Sequence, residues 1–210
     1  VRVCNMYTPS LKEFLQLSKQ CNIIPIYKEI NADLDTPVSS FLKIQKDAYA
    51  FLLESVEGQE NIARFSFLGS NPCLVFMSKG KNISVEYRGA AKNQINNFGA
   101  AQKAREQYVT QTDPLDEIKK IMKDFRAADI KGLPRFYGGF VGYIGYDMVR
   151  FFEEIPDKNL DDLGVPDSIF ILTDTLLVFD HVNHTIKIVS NIILPQGAQK
   201  LSLNEKERIY

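Results

Sequence analysis

Between Tyr49 and Arg88 the chain abandons helical spacing and becomes a series of short apolar runs broken by turn residues. Tyr49–Val56, Phe65–Leu68, Cys73–Ser78 and Ile83–Arg88 are the runs. Gly58, Gly69-Ser70-Asn71-Pro72 and Lys79-Gly80-Lys81-Asn82 punctuate them. Four strands joined by connectors too short for crossover helices pair antiparallel, as a meander. Two longer strands are expected late in the chain, Ser168–Phe179 and Thr185–Leu194, with Asp180-His181-Val182-Asn183-His184 as their turn. A helical bundle is excluded, and so is an alternating β/α chain with a parallel sheet. The expected class is α+β: mostly antiparallel sheet with a few packing helices.

The helices announce themselves by their starts. Thr8-Pro9, Asp35-Thr36-Pro37 and Asp113-Pro114 each place a capping side chain before a proline that suits the first helical position. Leu11, Phe14 and Leu15 follow the first, and Val38, Phe41, Leu42 and Ile44 the second, giving a short helix over 37–47. After the third, Leu115, Ile118, Ile121, Met122 and Phe125 line one face opposite Lys119, Lys120, Lys123 and Asp124. Ile23–Ile30 reads as a strand, and Pro25, which cannot donate to a ladder, sends it to a sheet edge. Residues 89–112 lose apolar periodicity and read as a surface loop or frayed helix. Asp147–Glu153 reads as a short helix that ends before Pro156.

Composition narrows the function classes. A net charge of −1 argues against nucleic acid or an anionic membrane as the main partner, because both demand concentrated basic charge. No apolar run approaches the ~20 residues of a membrane span. Cys4, Cys21 and Cys73 are odd in number and form no C-x-x-C pair, so they read as reduced thiols of a cytoplasmic protein. The first fourteen residues, starting at Val1, hold no signal-peptide core. The last, Asn204–Tyr210, read as the opening turns of a helix without a capping glycine, the pattern expected of a fragment.

Few residues offer chemistry. Phe136–Tyr146 is glycine-rich, but Gly138, Gly139, Gly142 and Gly145 fit neither phosphate-binding spacing, and close backbone packing explains them better. His181 and His184 beside Asp180 have the types of a metal site. Their i, i+3 spacing falls in a hairpin turn, though, so solvated turn histidines are expected. Asp157, Asp161 and Asp162 lie between prolines and read as an exposed loop. Glu54-Ser55 stands apart because it follows the apolar Ala50-Phe51-Leu52-Leu53. A carboxylate and a hydroxyl at a strand end suit a small zwitterion, Glu54 taking its ammonium. A strand simply leaving the core accounts for them too.

Several blocks taken together resemble the N-terminal region of anthranilate synthase component I. They are Ile26–Phe41, Ala50-Phe-Leu-Leu-Glu-Ser-Val-Glu-Gly58, Ala63-Arg-Phe-Ser-Phe-Leu-Gly69 with Asn71-Pro72, and Pro134-Arg-Phe-Tyr-Gly-Gly-Phe-Val-Gly-Tyr-Ile-Gly-Tyr-Asp147. The resemblance implies a lyase that turns chorismate into anthranilate and pyruvate with magnesium. Its ammonia would come from a glutamine amidotransferase subunit. Tryptophan would act as feedback inhibitor at a site that the Leu-Leu-Glu-Ser motif lines, here Leu52, Leu53, Glu54 and Ser55. It further implies that residues 1–210 are the regulatory N-terminal domain, an incomplete half of a larger sheet and helix sandwich. The catalytic and magnesium-binding residues would then lie in a C-terminal chorismate-binding domain beyond Tyr210. An apolar face should stand exposed where that domain packs. Within the family, component I of aminodeoxychorismate synthase is the alternative, disfavoured by Asp35-Thr-Pro-Val38 and the full Leu-Leu-Glu-Ser-Val-Glu-Gly string. A stand-alone tryptophan-binding module and a purely structural half-domain are the readings from other classes.

Overall fold

The computed structural model describes residues 7–54, 64–88, 104–195 and 201–210. The chain forms two compact units, and each is assembled from separated stretches. The first takes Val1–Pro72, Phe125–Gly139 and Thr173–Tyr210; the second takes Cys73–Asp124 and Phe140–Leu172.

The first unit is built on a five-stranded antiparallel sheet. Its strands are β1 (Ile23–Asn31), β2 (Ala50–Leu53), β3 (Phe65–Ser70), β9 (Thr175–Asp180) and β10 (Thr185–Ile193), in the order β1-β10-β9-β3-β2. β1 lies at an edge, as Pro25 requires. Alternation gives the sheet two apolar faces. On one, Leu68, Phe179 and Ile186 pack with Leu52, Leu177 and the Phe41 and Ile44 side chains of α2 (Pro37–Ile44). On the other, Leu176, Val178 and Val189 meet Phe65, Phe67, Leu133, Phe136 and Tyr137. α1 (Leu11–Leu17) buries Phe14 against Ile24, Ile26 and Leu194. The C-terminal helix (Leu203–Ile209) ends there too, with Tyr210 beside Phe14 and its hydroxyl donating to the Pro9 carbonyl at 3.0 Å.

The second unit holds a sheet ordered β6-β5-β4-β8-β7. Its strands are β4 (Leu74–Lys79), β5 (Asn82–Tyr87), β6 (Arg105–Val109), β7 (Gly139–Ile144) and β8 (Ser168–Thr173). α3 (Pro114–Met122) is tied to β6 through the buried Glu117. That carboxylate accepts from Thr110 Oγ1 at 2.6 Å, Lys120 Nζ at 2.8 Å and Tyr108 Oη at 3.2 Å. At Gly142 a Cβ would stand 1.9 Å from the Ile169 carbonyl oxygen. Close backbone approach, rather than phosphate binding, therefore explains a glycine there.

The class is α+β with antiparallel sheets, as expected, but several local expectations change. The first helix is capped by Ser10, in a reciprocal box with Glu13; Thr8 instead pairs with Tyr27 as a β-bridge. The early strands do not form one meander. Asn71 adopts φ 56° and Pro72 has no N–H to give a ladder, so the chain leaves the first sheet after β3 and enters the second at β4. The strand expected over 168–179 is two strands in different sheets, parted at Asp174, whose carbonyl accepts the Asn191 N–H at 2.6 Å. Residues 105–109 of the supposed loop are β6; 89–103 lie outside the described residues. After β7 the short helix is a 3-10 turn over Tyr146–Phe151.

Candidate functional site

β2 is the strand that carries the Leu-Leu-Glu motif, and it sits at the edge of the first sheet with β3 as its only neighbour among the described strands. Its register is Ala50 opposite Ser70, Phe51 opposite Gly69, Leu52 opposite Leu68 and Leu53 opposite Phe67. Phe51 lies over Gly69, where any Cβ would meet its ring at 2.3 Å, and this locks the strand in register. Leu52 is held in the core under α2. Burial then fades: Leu53 is 45% exposed and Glu54 is exposed. The structure thus brings Leu53 and Glu54 to the surface at the mouth of the β2–β3 hairpin. Ser55 lies outside the described residues. Among the described residues, no hydrogen bond or ion pair of Glu54 is seen.

Across the mouth, the residues that start β3 carry polar groups that sequence reasoning does not single out. Arg64, with a side chain 39% exposed, donates from Nε and Nη2 to the buried Asp180 carboxylate at 3.1 and 2.7 Å. Its guanidinium also lies 4.9 Å from the centre of the Phe65 ring. Ser66 is buried, and its Oγ lies 2.7 Å from Nε2 of His181. His181 and His184 are exposed in the turn, as expected, but His181 is a structural partner as well. Burial alone would raise the Asp180 pKa; the hydrogen bonds from Arg64 and Asn183 outweigh it and hold the carboxylate at about 2. The signal in sequence is Asp180 three residues before Asn183, a side chain able to organise its own turn. Its pairing with Arg64 spans 116 residues and leaves no local trace.

A carboxylate (Glu54), a partly exposed guanidinium (Arg64) and an exposed apolar side chain (Leu53) thus fall at the same end of the β2–β3 pair along the chain.

The second unit has a groove of about 670 Å³ lined by Lys79, Tyr143, Tyr146, Arg150, Asp161 and Asp167. Most of its charges are spent on one another. Lys79 reaches Asp161 at 2.5 Å and Asp167 at 3.2 Å, and Arg150 reaches Asp147 at 3.0 Å and Asp157 at 3.3 Å. The Asp157, Asp161 and Asp162 loop is exposed, as its flanking prolines imply. Among the described residues, no group of three or more His, Cys, Asp or Glu side chains converges to hold a metal ion. No described residue is therefore assigned to magnesium. Among them, too, no helix is long and apolar enough to cross a membrane.

Comparison with known proteins places these features in a family. The family model for chorismate binding enzymes matches residues 71–209. Anthranilate synthase component 1 of Acetivibrio thermocellus is 38% identical over 205 residues, covering 97% of this chain and 38% of that protein. The probable anthranilate synthase component 1 of Schizosaccharomyces pombe is 36% identical, covering 90% of this chain and 33% of its own length. The Aquifex aeolicus component 1 is 35% identical, with 91% and 36% covered. The crystal structure of component I from Streptococcus pneumoniae aligns over 85% of this chain and 34% of its own, at 25% identity and a TM-score of 0.44. The chain thus spans about a third of the length of the curated relatives it matches. A family match across about two thirds of the sequence, together with relatives aligned over nearly all of it, shows that the chain belongs to the chorismate-binding enzyme family.

Proposed function

We propose that this chain is the N-terminal, regulatory part of an anthranilate synthase component I, and that tryptophan binds at the mouth of the β2–β3 hairpin. The observation that carries the reading is the placement of Leu53 and Glu54. The strand bearing the family's motif ends at the surface, with Leu53 and then Glu54 both exposed. Glu54 would accept the ligand's ammonium, Leu53 would lie against the indole, and Arg64 across the mouth would take the carboxylate. Ser55, next in sequence, would add a hydroxyl.

In this reading the intact protein is a lyase of tryptophan biosynthesis that works in the cytoplasm. It makes anthranilate and pyruvate from chorismate, with ammonia delivered by a glutamine amidotransferase subunit. Its own C-terminal chorismate-binding domain would supply the catalytic residues and the magnesium site, and the 210-residue chain alone would be inactive. One hairpin mouth leaves most of an indole uncovered, so the remaining wall of the tryptophan site would come from that C-terminal domain.

The test is anthranilate fluorescence from the intact enzyme as tryptophan is titrated. Ser55→Ala and Glu54→Gln should each raise the half-inhibiting concentration by about 10- to 150-fold, the loss of a hydrogen bond or ion pair to a charged ligand being roughly 1.5–3 kcal/mol. Unchanged inhibition in both variants would remove the site. A product with the chromatographic behaviour of aminodeoxychorismate would move the protein to the folate branch. Micromolar tryptophan binding by residues 1–210 alone would favour a free-standing sensor.

A further inference from the structure

Asp180 ends β9, the central strand of the first sheet, and is only 3% exposed. Besides Arg64, its carboxylate accepts the backbone N–H groups of Val182 at 3.1 Å and Asn183 at 3.2 Å, and Asn183 Nδ2 at 2.9 Å. The main chain repeats the tie, since His181 N–H donates to the Arg64 carbonyl at 2.9 Å. Ser66 and His181 add a side-chain link at 2.7 Å. The first residues of β3 are therefore fastened to the β9–β10 turn three times over.

Leu52 is packed under α2, but among the described residues β2 has no hydrogen-bonded tie of this kind outside its ladder with β3. It is an edge strand with one neighbour among the described strands, so the position of its last residues is inherited through β3. Leu53 stands opposite Phe67, and the next residues along the two strands are Glu54 and Ser66. Whatever fixes Arg64 to Ser66 fixes the frame in which Leu53 and Glu54 are presented.

We propose that Asp180 is a positioning residue for the amino-acid site at this hairpin mouth: without touching the ligand, it aims the Arg64 guanidinium and sets the β3 start against which Leu53 and Glu54 are placed. The proposal rests on the assignment of tryptophan to that mouth. An asparagine at 180 separates the roles of charge and turn. Its Oδ1 can still accept from Val182 and Asn183, which keeps the turn, but it offers no negative charge to Arg64 and turns an amide donor toward guanidinium donors.

The experiment is a tryptophan titration of anthranilate formation by the intact enzyme in four forms: unaltered, Glu54→Gln, Asp180→Asn and Ser66→Ala. Each is accompanied by a thermal melting curve. Asp180→Asn should raise the half-inhibiting concentration about tenfold while leaving kcat and the chorismate KM within about twofold. Ser66→Ala, which removes one link of three, should raise it about two- to threefold. Loss of sensitivity in Glu54→Gln alone, with Asp180→Asn folded and inhibited as before, would overturn the positioning role and leave the site intact. Unchanged inhibition in both would instead remove the site itself. A parallel fall of kcat in Asp180→Asn would reduce Asp180 to general structural support and overturn the proposal. Should Asp180→Asn fail to fold, Ser66→Ala decides: inhibition indistinguishable from the unaltered enzyme overturns the proposal.

Discussion

Asp180 keeps a negative charge in a place that water hardly reaches, and the cost of that burial is offset by donors converging from Arg64, Val182 and Asn183. Its pKa of about 2 in the folded chain makes the arrangement visible to pH. Because the folded value lies below that of an unfolded aspartate, the pair stabilises the fold fully above the unfolded pKa. That stability is lost as pH falls through about 2. The difference from an ordinary aspartate amounts to about 2 kcal/mol. Urea unfolding at pH 6 and at pH 2.5 should show the parent losing more stability than Asp180→Asn, by most of that amount. Equal losses would mean that the charge contributes nothing. Residues whose partners are local are legible in the sequence: Thr36 and Asp113 cap α2 and α3 at the positions their spacing assigns. Thr8 is not the cap that its proline suggests, because Ser10 and Glu13 form a stronger reciprocal cap two residues later. Arg64 and Asp180 are illegible as a pair because nothing in either neighbourhood names the other.

At the scale of elements, the existence of strands is legible and their sheet membership is not. Alternation of apolar residues reports that a segment has a buried face; it is silent about which sheet provides the cover. β3 and β4 look like consecutive members of a meander, and β8 and β9 like one long strand, yet each pair divides between two sheets. β6 hides in the sequence because Arg105-Glu-Gln-Tyr-Val is mostly exposed at a sheet edge and shows little apolar pattern. The glycines of β7 do signal backbone crowding, and Gly142 measures how tight the approach to β8 is. Gly142→Ala puts a methyl carbon against the Ile169 carbonyl and should destabilise the chain by about 3 kcal/mol or fold it poorly. A denaturant midpoint unchanged from the parent would show that β7 and β8 part freely.

At the scale of the whole molecule, apolar side chains stand open to solvent around β7. Ile144 is 55% exposed and Tyr146 83%, with Tyr143 and Phe152 also open to solvent. Among the described strands β7 is the outer member of its sheet, and it carries no lysine, proline or inward charge to discourage pairing with other chains. Ile144→Lys should lower self-association of the 210-residue chain in light scattering while leaving its melting midpoint in place. Equal scattering from both forms would show that this edge is not what brings copies together. Of the candidate site, the motif residues Leu53 and Glu54 are legible in the sequence as the end of a strand leaving the core. The chemistry of their neighbours across the hairpin is not, because it depends on a turn more than a hundred residues away.

The two units are threaded through one another along the chain, which returns to the first unit twice after leaving it. β1, made early, has β10 as its partner in the ladder, with Ile23 facing Ile193. On a ribosome adding 5–20 residues per second, those roughly 150–170 intervening residues take about 10–30 s. For that interval the nascent β1, β2 and β3 lack the central strands that join them, so this unit closes only once β10 has been made. Cells that translate this stretch slowly, or stall within the codons for β9 and β10, would hold an open sheet edge in need of a chaperone.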